Sequence, residues 1–228
     1  MTTYVLVHGA YQGGWIWQPV AERLLSLGHQ VFRPSLDGCG ERRAGLRAGI
    51  TTESHGGEIV ELLRFEDLTD VVLVGTSSGG MVVARAAELA PERVARVVFV
   101  DALALLDGER ISDFVERPAA VTDEVATGPT YEDARDRMFA DLDPELRAWA
   151  LDRYTMQPIA VMTDPVRLER FWTEPWSAQV ICCRRSINPP EAHQRRTAAR
   201  LDATWEELDT GHYPMLSAPD ALTDLLTR

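Results

Sequence analysis

The strongest constraint on the fold is a regular alternation of short apolar runs with segments of helical periodicity. Six apolar runs have the length and continuous hydrophobicity of buried β-strands. They are residues 4–8, 30–33, 70–75, 96–100, 178–183 and 205–208. Helical spacing of apolar residues recurs in residues 15–27, 52–65, 78–89 and 219–226. Strands that alternate with helices are joined by right-handed crossovers. The chain is therefore predicted to form an α/β fold, with a mostly parallel sheet of about six strands flanked by helices.

The alternation breaks between the fourth and fifth predicted strands. Residues 106–176 contain helical and proline-interrupted sequence with no clear strand, and structureless loops of that length are uncommon in compact domains. We therefore predict that residues 106–176 form a helical cap, inserted after the strand that ends at Asp101. Residues 1–105 and 177–228 are expected to form the core. Because ligands bind at the carboxyl ends of strands in open α/β sheets, the cap is expected to cover a pocket.

The composition excludes several classes of function. A formal net charge of −12 disfavours nucleic acid and anionic membranes as partners, since both require a positive surface. No apolar run reaches the roughly 18 residues that span a membrane, and the start of the chain lacks a basic signal-peptide region, so we expect a cytoplasmic protein. The three cysteines show no CxxC spacing, and no HExxH occurs, so no metal site is predicted. All 23 basic residues are arginines, which excludes sites that depend on lysine.

A strand, a sharp turn and a helix are predicted around the sequence Gly-Thr-Ser-Ser-Gly at residues 75–79. In a G-x-S-x-G turn of this kind, the strained backbone lifts the central serine hydroxyl above the sheet. We therefore predict that Ser77 is a nucleophile and that the backbone N–H of Ser78 stabilises an oxyanion. The alternative interpretation is a glycine-rich turn that binds phosphate or only packs tightly.

A second oxyanion donor is expected in the loop that follows the first predicted strand. The loop covers residues 8–15, and we select the N–H of Ala10, with Tyr11 beside it at the substrate. A dinucleotide-binding loop is the competing interpretation. It is disfavoured because no G-x-G-x-x-G register fits and no acidic residue closes the next strand.

A serine nucleophile needs a base, and His212 is the candidate that the predicted topology favours. It lies in a loop after the last strand, at the same edge of the sheet as Ser77. The remaining histidines are expected to be structural or solvated. They are His8, His29, His55 and His193.

Three segments together resemble one superfamily. The sequences HGAYQGGW at residues 8–15, GTSSGG at 75–80 and GHYPML at 211–216 occur in the order and spacing found in α/β hydrolases. The resemblance is greatest to small bacterial EstC-like esterases and to the plant methylesterase and hydroxynitrile lyase group. It implies a Ser–acid–His triad, no cofactor, and a cap that shapes an apolar pocket for a small-molecule substrate. Dimers are common among such proteins, so a homodimer is an expected assembly, although the sequence leaves the oligomeric state open.

The chain departs from this superfamily at the triad acid. In the resembling proteins the acid usually follows the fifth of the strands predicted here, in a pattern such as C-T-x-D-x-x-x-P. Alignment of the cysteine and the proline places Arg185 at that position, and an arginine cannot stabilise an imidazolium ion. Some superfamily members, including certain haloalkane dehalogenases, carry the acid after the preceding strand, where this chain has Asp101. The sequence leaves three possibilities open: Asp101 as triad acid, an acid elsewhere, and a degenerate site.

Three functions fit these residues. The first is a serine esterase, lactonase or thioesterase that forms an acyl-enzyme. The second is a lyase, cyclase or hydratase that uses Ser77 and His212 as acid–base groups, and the third is a pseudo-hydrolase that only binds a ligand. Tyr213 stands where hydroxynitrile lyases of this group have a lysine, which disfavours cyanohydrin chemistry.

Cap aromatics and two arginines give weaker signals about the substrate. Trp149 and Trp172 are expected to line a pocket for a flat or aromatic molecule, although core packing is the commoner role of such residues. Arg184 and Arg185 end a strand at the active edge, where they either bind a carboxylate or phosphate group or lie in solvent.

Overall fold

The computed structural model of the protein describes residues 1–115 and 120–228. The strands are β1 (Thr3–Val7), β2 (Gln30–Phe32), β3 (Val71–Ser77), β4 (Val94–Ala102), β5 (Ala120–Thr122), β6 (Ala126–Pro129), β7 (Gln157–Pro158), β8 (Ala178–Cys183) and β9 (Thr204–Leu208). The helices are α1 (Gln18–Ser26), α2 (Thr52–Phe65), α3 (Gly79–Leu89), α4 (Tyr131–Asp133), α5 (Pro144–Leu151), α6 (Ile159–Thr163), α7 (Glu191–Leu201), α8 (Pro214–Ser217) and α9 (Pro219–Leu226).

The main sheet contains six strands in the order β2-β1-β3-β4-β8-β9, and every neighbouring pair is parallel. The predicted α/β fold with a six-stranded parallel sheet is confirmed. The carboxyl ends of β3 and β4 lie side by side at the centre of the sheet. Residues that follow these two strands therefore meet at one edge.

Both faces of the sheet are buried, which explains why the strands read as continuous apolar runs. Along β3, Val71 and Leu73 belong to one apolar cluster, whereas Val72 and Val74 belong to another. Alternate side chains of a strand point to opposite faces, so the two clusters are the two layers of the core. A firmly packed central strand gives the residue at its end a fixed position.

The segment between β4 and β8 is only partly helical, so the prediction of a helical cap needs correction. Strands β5, β6 and β7 form a separate antiparallel sheet of three strands, alongside the short helices α4, α5 and α6. The assignment of residues 106–176 to a cap remains a prediction, with 1–105 and 177–228 as the core. Residues 116–119, which fall in the predicted cap, lie outside the described residues.

Within residues 1–115 and 120–228, no helix combines the length and the apolar character that crossing a membrane requires.

Candidate active site

Ser77 is the last residue of β3, at the point where the chain turns sharply into α3. Its φ angle is +51°, a left-handed conformation that residues other than glycine rarely adopt. Ser77 and Ser78 both lie on the wall of a cavity at this edge of the sheet. Ser78 immediately precedes the first turn of α3, where backbone N–H groups have no partners within the helix. The candidate nucleophile and the amino end of a helix are thus brought to one cavity.

Asp101 lies near the end of β4, beside the end of β3. The pairing register shifts here, because Thr76 pairs with Val100 but Ser77 pairs with Ala102. Asp101 is therefore the extra residue of a β-bulge, and its φ angle is +44°. The bulge turns this side chain into the protein interior, where it is fully buried.

The buried carboxylate of Asp101 contacts the candidate base. Oδ2 of Asp101 lies 2.5 Å from Nδ1 of His212. A carboxylate can only accept, so the imidazole donates its N–H from Nδ1 and retains a lone pair on Nε2. His212 also lines the cavity that Ser77 lines. This tautomer is the one that a general base requires.

The second oxygen of Asp101 is held by two neutral donors. Oδ1 accepts a hydrogen bond of 2.8 Å from Nε2 of Gln194, on α7, and one of 3.3 Å from the backbone N–H of Cys183. A buried carboxylate is costly unless hydrogen bonds replace its lost hydration. The Gln194 amide and the Cys183 N–H offset the free-energy cost of burying the Asp101 carboxylate, and neither group carries a positive charge.

The loop after β1 approaches Ser77 closely. A Cβ atom on Gly9 would lie 2.6 Å from Cβ of Ser77, so a side chain at position 9 would collide with the candidate nucleophile. Ala10 and Tyr11, which follow, line the cavity. Tyr11 has a φ angle of +66°. Both of its backbone polar groups are hydrogen-bonded: the N–H donates to Oε1 of Gln157, and the C=O accepts from the N–H of Thr155. The candidate oxyanion loop is thus fixed by residues 155–157.

The cavity has a volume of about 380 Å³. Its wall contains five of the predicted site residues, which are Ala10, Tyr11, Ser77, Ser78 and His212. Apolar side chains supply much of the remaining surface, and they are Leu103, Ile111, Val115, Pro129, Met138, Met162 and Ile187. The wall also carries charged side chains, which are Asp133, Arg137, Asp141 and Arg185. The cavity is therefore largely apolar with several polar groups, as small-molecule sites commonly are.

The two cap tryptophans do not lie on this wall, so their expected role as pocket residues needs correction. Trp149 packs edge-on against Trp15, with ring centroids 5.3 Å apart. Trp172 donates its indole N–H to the C=O of Leu105 and packs against Phe171. Both side chains fill space between elements, which is the commoner role of large aromatic residues.

Comparison with protein families identifies the chain. The sequence model of the protein family described as the alpha/beta hydrolase family matches residues 4–225 of this chain. The chain belongs to the α/β hydrolase family. This α/β hydrolase is 32% identical over 175 residues to the carbendazim hydrolyzing esterase of Nocardioides sp. (strain SG-4G), a match that covers 75% of this chain and 66% of that esterase. It is 27% identical over 252 residues to methylesterase 3 of Arabidopsis thaliana, with 97% of this chain and 93% of that protein covered.

Solved structures show the same fold. An extracellular alpha/beta-hydrolase from a Paenibacillus species superposes with a TM-score of 0.85 at 22% identity, over 100% of this chain and 98% of that one. Polyneuridine aldehyde esterase superposes with a TM-score of 0.80 at 21% identity, over 100% and 98% of the two chains. At these identities the superpositions establish the fold of the hydrolase and nothing finer.

Arg185 occupies the lip of the cavity in this hydrolase. Its guanidinium donates to the C=O of Asp209 at 2.7 Å and lies 3.8 Å from the Asp209 carboxylate, and its side chain is 66% exposed. Arg184 is also exposed and lies 4.0 Å from the same carboxylate. Neither arginine is positioned to replace the buried contact between Asp101 and His212.

Two further histidines of the hydrolase are buried and structural. Nε2 of His8 accepts from the N–H of Leu36, and Nε2 of His193 accepts from the N–H of Ala104. Burial lowers the pKa of each imidazole to about 4, because the charged form loses its hydration. These two histidines are therefore neutral hydrogen-bonding groups at neutral pH.

Sequence reasoning missed three polar residues around the site. Gln194 contacts the candidate triad acid, Gln157 holds the oxyanion loop, and Asp141 lies on the cavity wall beside Gly211. Gln194 lies in a helix, Gln157 in a two-residue strand and Asp141 in a turn, and an isolated polar residue in any of these gives no periodic signal that separates it from a surface position. Among the described residues, no group of three or more His, Cys, Asp or Glu side chains is arranged to hold a metal ion.

Proposed function

We propose that this α/β hydrolase cleaves a carboxylic ester, lactone or thioester through an acyl-enzyme on Ser77. The observation that carries the proposal is the hydrogen-bonded pair of His212 and buried Asp101 at a cavity that Ser77 also lines. A nucleophile and a base on one cavity, with a buried acid in contact with the base, are the parts that a serine hydrolase requires. Relatives named as esterases support this choice of reaction class.

The proposed reaction begins at Nε2 of His212, which takes the proton from the Ser77 hydroxyl as its oxygen attacks the substrate carbonyl. The backbone N–H groups of Ala10 and Ser78 stabilise the oxyanion that forms. Protonated His212 then gives the proton to the leaving alcohol or thiol, which departs and leaves the acyl group on Ser77. Water attacks the acyl-enzyme by the same route in reverse and releases the acid.

Asp101 acts on this reaction through charge and orientation. Its negative charge stabilises the imidazolium ion that forms each time His212 holds the proton. The effect is large because the carboxylate is fully buried, where water screens charges least. The acid thus performs its function from the end of β4, next to the nucleophile strand.

The apolar wall favours substrates that are small and largely apolar. A cavity of about 380 Å³ lies in the range of small-molecule sites. Burial of apolar surface supplies binding free energy at roughly 25 cal/mol per Å². We therefore propose an ester of a compact hydrophobic acid or alcohol as the substrate.

A fluorophosphonate probe tests the proposal, because it labels only a serine that a working base activates. We expect intact-mass spectrometry to find a single adduct on the wild-type protein and none on Ser77→Ala. Ser217→Ala, which alters a serine outside the cavity wall, serves as the matched control and should label normally. Absence of an adduct on folded wild-type protein would reject the acyl-enzyme mechanism and favour a non-covalent enzyme or a binding protein.

A further inference from the structure

We propose that Gln194 is a positioning residue that fixes Asp101 for catalysis. The inference rests on the proposed triad of Ser77, Asp101 and His212. It concerns a residue outside that triad, on α7, which reaches the carboxylate from the side opposite His212.

The amide of Gln194 has only one favourable orientation. The side chain is 2% exposed, and its Nε2 lies 2.8 Å from Oδ1 of Asp101 and 3.2 Å from the C=O of Pro189. Both neighbours are acceptors, so both amide hydrogens are used. A flipped amide would place its oxygen against two other oxygens in the protein interior. The geometry therefore determines which amide atom faces the acid.

The bond from Gln194 restricts the rotation of the Asp101 carboxylate. The final torsion of an aspartate side chain is soft, so burial alone does not orient its two oxygens. The other donor to Oδ1, the N–H of Cys183, is longer at 3.3 Å. With Oδ1 held by Gln194, Oδ2 is directed at Nδ1 of His212.

A neutral donor suits this position better than a cation would. The proposed reaction uses the negative charge of Asp101 to stabilise protonated His212. An arginine or lysine in contact with Oδ1 would offset that charge, whereas the Gln194 amide satisfies the oxygen and leaves the charge in place. The identity of residue 194 therefore bears on catalysis and not only on packing.

Gln194 also connects the acid to the substrate side of the cavity. Pro189, whose C=O accepts its second hydrogen, lies on the cavity wall. A single amide thus joins the proposed triad acid to a loop on the cavity wall. Because its bond to Asp101, at 2.8 Å, is shorter than its bond to Pro189, at 3.2 Å, we expect changes at position 194 to affect turnover more than substrate affinity.

Gln179 provides a matched control within the same chain. It is also a buried glutamine, at 5% exposure, and its Nε2 donates to the C=O of Leu225 at 3.2 Å. The Oε1 atoms of Gln179 and Gln194 both lack hydrogen-bond partners among the described residues. The hydrogen bond of Gln179 to Leu225 does not involve any residue of the proposed triad. The two glutamines thus differ mainly in what their amide hydrogens hold.

The test compares Gln194→Leu with Gln179→Leu on an ester that the wild type hydrolyses. We expect Gln194→Leu to lower kcat by about 10-fold to 100-fold, because a hydrogen bond to a charged group is lost, with KM changed less than about threefold. Gln179→Leu should keep kcat within about twofold. Urea unfolding of both variants establishes that they are folded under the assay conditions.

Gln194→Glu adds a readout that a purely structural role would not produce. The carboxyl group that this substitution introduces can donate to Oδ1 of Asp101 while it is protonated, whereas its ionised form repels that oxygen. We therefore expect the activity of Gln194→Glu, divided by wild-type activity at each pH, to rise as the pH falls from 8 to 5. This variant also keeps the test decisive if Gln194→Leu does not fold.

Three results would overturn the positioning role. The first is a kcat of folded Gln194→Leu within threefold of the wild-type value. The second is a loss of kcat in Gln179→Leu equal to that in Gln194→Leu. The third is a ratio of Gln194→Glu activity to wild-type activity that does not change with pH. Fluorophosphonate labelling of the wild type separates these results from failure of the proposed function, because labelling reports on Ser77 whether or not Gln194 has this role.

Discussion

At the scale of single residues, the candidate site depends on a buried contact between the carboxylate of Asp101 and the imidazole of His212. The sequence predicts Ser77 and His212 from the strand that precedes each of them, and it predicts Asp101 from the expectation that Arg185 aligns with the usual acid position. The structure places these residues at one edge of the sheet, with Asp101 and His212 in contact. The sequence did not predict a role for Gln194, because its partner Asp101 lies 93 residues away in the chain and no local pattern encodes that contact.

The acid assignment predicts the effect of one substitution. Asp101→Asn should lower kcat by about 10⁴, as loss of the acid does in other serine triads, because the amide cannot stabilise imidazolium and can favour the wrong tautomer. Steady-state kinetics on a chromogenic ester measures the change. Activity within tenfold of wild type would show that Asp101 is not the triad acid.

The position of Arg185 predicts the outcome of a rescue experiment. We expect Arg185→Asp in the Asp101→Asn background to remain inactive, because the side chain at position 185 is 66% exposed and directed towards Asp209. Recovery of kcat in the double variant would show that the loop after β8 can still supply the acid.

At the scale of elements, the main sheet was predictable and the three-stranded sheet of β5, β6 and β7 was not. Strands β1, β3, β4 and β8 of the main sheet have five to nine residues and are apolar enough to be read directly, whereas β5 has three residues and β7 has two. β6 reads Ala-Thr-Gly-Pro, a sequence without β-branched alternation and with two residues that disfavour strands. These short strands form because they pair with one another, and such pairing depends on tertiary context.

The close approach of Asp141 to Gly211, beside His212, predicts a double-variant effect. A Cβ atom on Gly211 would overlap Oδ2 of Asp141, so Gly211→Ala forces either the carboxylate or the loop of His212 to move. We expect Gly211→Ala to lower the free energy of unfolding by about 1–3 kcal/mol, as overpacking does, and to reduce kcat.

Asp141→Ala should remove this clash and restore most of both quantities in the double variant. Urea unfolding and kinetics on the two single variants and the double variant give the coupling between the positions. Strictly additive effects would mean that the two side chains do not compete for this space.

At the scale of the whole molecule, buried neutral histidines make stability depend on pH. His8 and His193 have pKa values lowered to about 4 in the folded protein, from an ordinary value of 6.5, because burial penalises the charged form. Between these values the unfolded chain binds more protons than the folded chain, so stability is lost as the pH falls from 6.5 to 4. Each histidine contributes about 3 kcal/mol to this loss, at about 1.4 kcal/mol per pKa unit.

Urea unfolding at several pH values between 4 and 7 tests this dependence. We expect the free energy of unfolding to decrease with acidification through this range. His193→Gln should give a shallower slope, because one proton fewer is taken up on unfolding. Parallel curves for the variant and the wild type would show that His193 has no part in the effect.

The placement of Asp101 on β4 also affects how substrate preference can change. In this hydrolase the proposed nucleophile and the proposed acid stand on adjacent strands. The loop after β8 contributes Ser186, Ile187, Asn188 and Pro189 to the cavity wall and supplies no group of the proposed triad. Mutations in residues 186–188 can therefore accumulate with little damage to turnover. Evolution, or a randomised library confined to these three positions, can redirect the enzyme towards new esters while the proton relay stays intact.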